Sequence, residues 1–331
     1  MKEAFLYEKM EKNKVHCELC NVSCVIEDGK RGQCGIRENR DGTLHALTYE
    51  KPISTSVDPI EKKPLFNFRP GSRAFSIATV GCNFKCGFCQ NWQISQPKEI
   101  VGNELGVKEV VDQASRTADG IAYTYTEPTV FMEYAYDIAE LAKKRGLYNV
   151  FVSNGYMTDK AIEKIAPVLD AINIDLKAMS DDFYKEFCGV SSHKPVLNSI
   201  KKFKEKGVWV EVTNLLIPGK NTKESQIREL CEWLVENVGE ETPLHFSRFL
   251  PHHEMNNVEP TSNEIMNKAV DIAQKSGLKY IYVGNLAHKN NNTFCPECGE
   301  KVIDRKGYSV FLNTENGYKC PECGYELDIR R

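Results

Sequence analysis

Between residues 72 and 285, short apolar and β-branched runs alternate with longer stretches whose apolar positions recur at helical spacing. RAFSIATV (73–80), GIAYTY (120–125), YNVFVSN (148–154), DAINIDLKA (170–178), VWVEVTNLLI (208–217), PLHFSRFL (243–250) and KYIYVG (279–284) read as strands. Between two of them, TVFMEYAYDIAELAKKRG sets Val130, Phe131, Tyr134, Ile138 and Leu141 on one helical face, with Gly146 as its stop. Strand and helix alternating this often predict a parallel sheet, open or closed into a barrel. Side chains alternate along a strand, so Asn173, Asp175 and Lys177 share one face and Ile172, Ile174 and Leu176 the other. A polar, charged inner face calls for a polar ligand inside the barrel or for a salt bridge across it.

The flanks read differently. Residues 1–70 form a turn-rich module that ends in proline-punctuated chain, KPISTSVDPIEKKPLFNFRPG, irregular or edge-like in character. The polar run KNNNT introduces a tail. The expected division is 1–70, a barrel over 71–289, and a small unit over 290–331.

The 331 residues carry a formal net charge of -3 with mixed signs, which argues against a dedicated polyanion binder such as a nucleic-acid protein. The first residues, MKEAFLYEKMEKNK, contain no secretory apolar core. No run approaches the roughly 18 apolar residues of a membrane span. The expectation is a soluble cytoplasmic protein with no membrane partner. In that setting thirteen cysteines imply metal or redox chemistry rather than disulfides. All but Cys188 and Cys231 fall into three tight groups, and those two sit in helical stretches as small apolar residues.

The central group, VGCNFKCGFCQN, puts Cys82, Cys86 and Cys89 directly after the first barrel strand, with Phe88 just before the last thiol. Three thiolates cannot close a structural zinc site. They can cap three corners of a 4Fe-4S cube and leave one iron open. Loops at the C-terminal ends of barrel strands are where such folds carry chemistry. The tail holds Cys295, Cys298, Cys320 and Cys323 in two CPECG knuckles, the spacing of a zinc ribbon, although iron would accept the same ligands. The N-terminal group, Cys17, Cys20, Cys24 and Cys34, lies within 18 residues and implies one metal site. Its spacing matches neither ferredoxin run, so zinc is preferred over a second iron–sulfur cluster, with His16 as a substitute ligand.

The triplet resembles that of the radical S-adenosylmethionine (SAM) superfamily. This resemblance implies a partial (β/α)6 barrel in which SAM binds the open iron and is cleaved to a 5'-deoxyadenosyl radical. It gives Glu127, in TYTEP, the place of the acid that holds the SAM amino group, although Tyr125 and Thr126 replace the usual glycines and an ordinary helix-start acid would look the same. It likewise gives Asn154, in SNG, a ribose contact, and His253, in RFLPHHE, an approach to SAM. Asp175 and Lys177 complete the expected SAM site. The ordered set VGCNFKCGFCQNWQISQ, YTYTEPT, SNGY, NIDLK, LLIPG, SRFLPHH, YVGN and the CPECG pair looks like the radical SAM enzyme of the AmmeMemoRadiSam system, related to glycyl-radical-enzyme activases such as the pyruvate formate-lyase activating enzyme. That group implies Memo-like and AMMECR-type partners and an electron donor such as flavodoxin or ferredoxin. A true glycyl radical activase and a non-enzymatic zinc-ribbon adaptor are the competing readings.

Overall fold

All seven runs form strands, and their order sets where chemistry is possible. The computed structural model describes every residue except Lys98 and Asn316. One eight-stranded sheet contains β1 (Ser54–Pro59), β2 (Arg73–Ala78), β3 (Gly120–Tyr123), β4 (Tyr148–Ser153), β5 (Ala171–Asp175), β6 (Trp209–Leu216), β7 (Leu244–Arg248) and β8 (Ile281–Gly284). From β2 to β8 the pairing is parallel and follows chain order. β1 runs antiparallel on the outer edge of β2, from Ser54 opposite Ala78 to Pro59 opposite Arg73. The order is linear, with β1 and β8 at opposite edges, so the barrel is partial.

Helices α1 (Val107–Thr117), α2 (Met132–Lys144), α3 (Asp159–Ile165), α4 (Lys194–Glu205), α5 (Glu224–Val238) and α6 (Asn263–Lys275) fill the crossovers. Each buries one apolar face; α2 buries Tyr134, Ala135, Ile138 and Ala142. Thr158 caps α3 and Ser262 caps α6 by accepting the amides of Ala161 and Ile265. Gly146 takes φ 75° just beyond α2, where a side chain would be strained.

The proline-punctuated segment has two roles. Its first part is the edge strand β1, and the remainder closes the barrel floor. Ile60, Leu65 and Phe68 pack on the inward residues Ala74, Ala122, Val150 and Ala171. Above them Glu211, fully buried, accepts the amides of Phe66 (2.9 Å) and Asn67 (2.8 Å), the Trp209 indole N–H (3.0 Å) and His245 Nε2 (2.7 Å). The barrel sheet thus begins ahead of residue 71, where it was expected to start.

The N-terminal region forms two small three-stranded antiparallel sheets. Its buried residues Val15, Leu19, Ile26, Ile36 and Leu44 belong to the same core as the barrel helices. A buried ion pair pins it there: Arg37 Nη1 lies 2.9 Å from Glu133 Oε1 of α2, which also accepts the Phe5 amide at 2.5 Å. The C-terminal unit has its own core of Cys295, Val302, Ile303, Cys320 and Leu327. Arg305 fastens it to the floor, donating to the Phe66 carbonyl (2.7 Å) and stacking 4.4 Å over the Phe66 ring. No helix among the described residues is long and apolar enough to cross a membrane.

Removing one member of a buried pair strands the other charge. Glu133→Ala should therefore cost about 3–5 kcal/mol. Glu224→Ala, which breaks the exposed pair with Lys268, should stay within about 0.5 kcal/mol. Chemical denaturation of the two variants under identical conditions checks the contrast.

Candidate active site

At the C-terminal ends of the strands a cavity of about 300 Å³ is lined by Cys82, Cys86, Phe88, Cys89, Glu127, Asn154, Asp175 and Lys177. Eight of the nine residues expected at the SAM and cluster site therefore meet in one place. The ninth, His253, does not line it. His253 sits at φ 53° in a short turn and stacks on Trp92, with ring centroids 4.8 Å apart. Its turn instead braces the cysteine loop, because the Glu254 amide donates to the Gly87 carbonyl at 2.9 Å.

The cysteine loop follows β2 and is held from outside. The amides of Lys85 and Gly87 donate to the carbonyls of Cys188 and Phe187, which end a short π-helical turn, Tyr184–Cys188. Gly81, at φ 103°, passes so close to the N-terminal module that a Cβ there would fall 2.6 Å from Ile36 Cγ2 and 3.0 Å from the Cys34 carbonyl. The Phe84 amide donates to Cys82 Sγ at 3.3 Å. Burial, then the nearby Glu127 charge, pushes the Cys82 thiol well up. At Cys86 the adjacent Cys188 thiol and burial act the same way, and at Cys89 burial does. Without a metal these thiols keep their protons, so ligation must release them. Cys188 is thus packed as expected, but its neighbour is a candidate ligand.

Glu127 ends the loop after β3 and is buried. Its Oε1 accepts from the Thr129 amide (3.0 Å), the Thr129 hydroxyl (2.5 Å) and Ser153 Oγ (2.7 Å), and its Oε2 from the Asn154 amide (2.8 Å). Desolvation raises its pKa despite those donors. It also caps the short helix beginning at Pro128, the helix-start role considered for it, while lining the cavity. Asn154 is oriented by its Nδ2 donating to Asn83 Oδ1 at 2.7 Å and approaching Cys82 Sγ at 3.8 Å. Asp175 and Lys177 do form the salt bridge, at 2.7 Å, while both face the cavity. Burial works to lower the Lys177 pKa, but the carboxylate beside it raises it overall, so the ammonium stays charged. Asn173 shares their face but lies lower, where it donates to the Pro64 carbonyl at 2.7 Å.

Several lining residues were not anticipated. Thr213 and Ser247 stand two positions beyond the inward Glu211 and His245, so strand alternation would have found them. Tyr125, at φ 64°, had no such signal. Its hydroxyl bonds Asp58 of β1, which also accepts from Lys62 and Lys63 at 2.8 Å and Ser76 at 2.6 Å. Burial would raise the Asp58 pKa, yet these donors hold it far below the carboxylate range. Burial lowers the enclosed Lys63 to about 8. An adjoining cavity of about 1030 Å³ shares Lys62, Asn91, Tyr125, Thr213, Ser247 and Asn285 with the first and reaches the terminal hairpin at Arg305 and Tyr308.

Of the outer cysteine groups, the C-terminal four bring all their sulfurs within 4.8 Å of one another, a geometry that could hold a metal ion. Cys17, Cys20, Cys24 and Cys34 face a separate narrow cavity. His16 turns away from them, with Nε2 2.7 Å from Ser23 Oγ.

An open parallel barrel, a three-cysteine loop after its first parallel strand and a polar cavity beside that loop define a class. The radical SAM superfamily model matches residues 76–234, and the chain belongs to the radical SAM superfamily. It is 44% identical over 99% of both chains to an uncharacterized protein of Methanocaldococcus jannaschii. It is also homologous to glycyl-radical-enzyme activating enzymes: identity to the pyruvate formate-lyase-activating enzyme of Clostridium pasteurianum is 25%, over 56% of this chain and 76% of that one. SuiB of Streptococcus suis, solved with S-adenosylmethionine bound, shares the fold at a TM-score of 0.51 and 14% identity, over 72% of this chain and 56% of that one. The protein is therefore a radical SAM enzyme, and the non-enzymatic adaptor reading falls away.

The external bracing of the cysteine loop can be tested directly. Gly81→Val should push the loop off Ile36 and lower bound iron to less than half of wild type after anaerobic reconstitution. Circular dichroism should show an otherwise intact fold.

Proposed function

We propose that this chain is the radical SAM enzyme of an AmmeMemoRadiSam-type system, acting in the cytoplasm on a protein partner or a small molecule. The observation that carries the reading is one cavity lined jointly by three thiols, a buried carboxylate and a carboxylate–ammonium pair. Cys82, Cys86 and Cys89 would hold three irons of a 4Fe-4S cluster. The set fits that group, since three thiols on one loop leave a corner facing the cavity. When bound, the cluster supplies the electron that splits SAM, and the resulting 5'-deoxyadenosyl radical removes a hydrogen atom from the substrate.

The chain's own residues bind, orient and shield. Among the described residues Glu127 Oε2 has a single partner and so keeps acceptor capacity for the SAM ammonium. Asp175 suits the ribose hydroxyls, and Lys177 offers a fixed positive charge to the SAM carboxylate. Asn154, tied to Asn83, orients the ribose side. His253 is given no role in binding SAM. The larger adjoining cavity is the space for the hydrogen donor, and Phe84, Phe88 and Leu215 give the smaller one apolar wall. The C-terminal four cysteines hold zinc: their 3.6 Å Sγ pairs match the roughly 3.8 Å of a tetrahedral zinc–thiolate site. An electron donor of the flavodoxin or ferredoxin type is required, and Memo-like and AMMECR-type proteins are the proposed partners.

Homology to the pyruvate formate-lyase activating enzyme favours a second reading, in which a protein glycine is the hydrogen donor. A glycyl doublet in electron paramagnetic resonance after incubation with Memo-like or AMMECR-type proteins would select it.

Anaerobically reconstituted protein with SAM and dithionite should release 5'-deoxyadenosine and methionine, and Cys86→Ala should release none. Glu127→Ala should bind iron normally but weaken SAM by at least about tenfold. Equal product from wild type and Cys86→Ala would sink the proposal.

A further inference from the structure

The three cysteine groups have two different spreads. The C-terminal four are gathered as one small ion requires, with Sγ pairs at 3.6 Å. Among the described residues, neither the triplet nor the N-terminal group has three sulfurs mutually within 4.8 Å. A cube spreads its ligands in this way, because each thiolate caps a different iron at a different corner. The N-terminal cysteines are therefore not gathered as those of the ribbon are. They still converge: Cys17, Cys20, Cys24 and Cys34 line a single cavity together with Arg37 and Asn83.

Among the described residues two buried donors at that cavity have no hydrogen-bond partner of ordinary geometry: Arg37 Nε, and Asn83 Nδ2, whose side chain lies beside the Cys20 sulfur. Buried N–H groups are almost always paired, so these donors beside four thiols suit a group that brings further acceptors to the cavity. A cube presents inorganic sulfides as well as thiolates, whereas a zinc ion presents only the thiolates. Arg37, whose Nη1 is paired with Glu133, turns its Nε–H toward no other acceptor among the described residues, and the Gln33 amide already donates to Cys24 Sγ at 3.5 Å. On its other side, Asn83 Oδ1 accepts from Asn154 at 2.7 Å and lies 3.7 Å from Cys82 Sγ, so one residue touches both sulfur sites.

We infer that Cys17, Cys20, Cys24 and Cys34 hold a second 4Fe-4S cluster, ligated at all four irons, in place of the zinc favoured by their spacing alone. With no open iron it carries electrons and does not bind SAM. One electron from a flavodoxin- or ferredoxin-class donor reduces it from the 2+ to the 1+ state. It returns to 2+ by passing that electron across Asn83 to the cluster of the triplet. The comparison with the triplet rests on the function proposed above.

Metal and sulfide counting on the anaerobically reconstituted full chain tests this, together with electron paramagnetic resonance after dithionite reduction. Wild type should carry about eight irons and one zinc. The variant Cys82→Ala/Cys86→Ala/Cys89→Ala leaves the N-terminal ligands intact. It should keep about four irons and a reduced-cluster signal that SAM does not alter. Cys20→Ala/Cys34→Ala should keep about four irons and a signal that SAM does shift. About four irons and two zincs in wild type, with an iron-free triplet variant, would overturn the inference. If the triplet variant keeps its iron while Cys20→Ala/Cys34→Ala shows no SAM-sensitive signal, the second cluster stands and the reading of the triplet fails.

Discussion

The loop from Gly81 to Cys89 makes little backbone pairing within itself, so its shape is imposed from outside. The turn at Tyr184–Cys188 takes two of its amides, the turn at His253–Met255 takes one of its carbonyls, and the N-terminal module meets Gly81 at distances no side chain would tolerate. Three thiols on such a loop can be aimed only if all three supports are present. The N-terminal module is therefore part of the scaffold of the proposed active site, and its buried Arg37–Glu133 pair holds that support in place. Ligands held by packing in this way need little rearrangement when a cluster assembles.

The same logic governs the polar interior. A partial barrel open at one seam must satisfy every inward polar group or leave it to a ligand. At the floor Glu211 is fully satisfied by Phe66, Asn67, Trp209 and His245. At the upper end Glu127 and the Asp175–Lys177 pair retain capacity that faces the cavity. The contrast separates groups that build the barrel from groups that await a partner.

Much of this was legible in the chain, because the seven parallel strands are short apolar runs bounded by turns, and the triplet sits in the one loop that follows the first of them. The edge strand β1 was not legible, since Pro52 and Pro59 flank a run with little apolar content. With it went the Asp58–Lys63–Tyr125 network, which depends on a long-range pairing that no local pattern announces. His253 lies outside the cavity lining because its left-handed backbone turns the ring onto Trp92, and a sequence does not show that rotation. Asp175 and Lys177 read as either a ligand site or a salt bridge, and the geometry shows the bridge with both residues lining the cavity. The N-terminal cysteines were read as one metal site from spacing, but spacing carries no sulfur-to-sulfur distance.

The central claim is that the fourth corner of a cluster on Cys82, Cys86 and Cys89 faces the SAM site. Electron–nuclear double resonance on the reduced protein, with SAM isotopically labelled at its amino nitrogen, addresses it most directly. The account predicts a hyperfine coupling between that nitrogen and the cluster spin, which reports coordination at the open iron. An unlabelled-like spectrum from protein saturated with labelled SAM would contradict it.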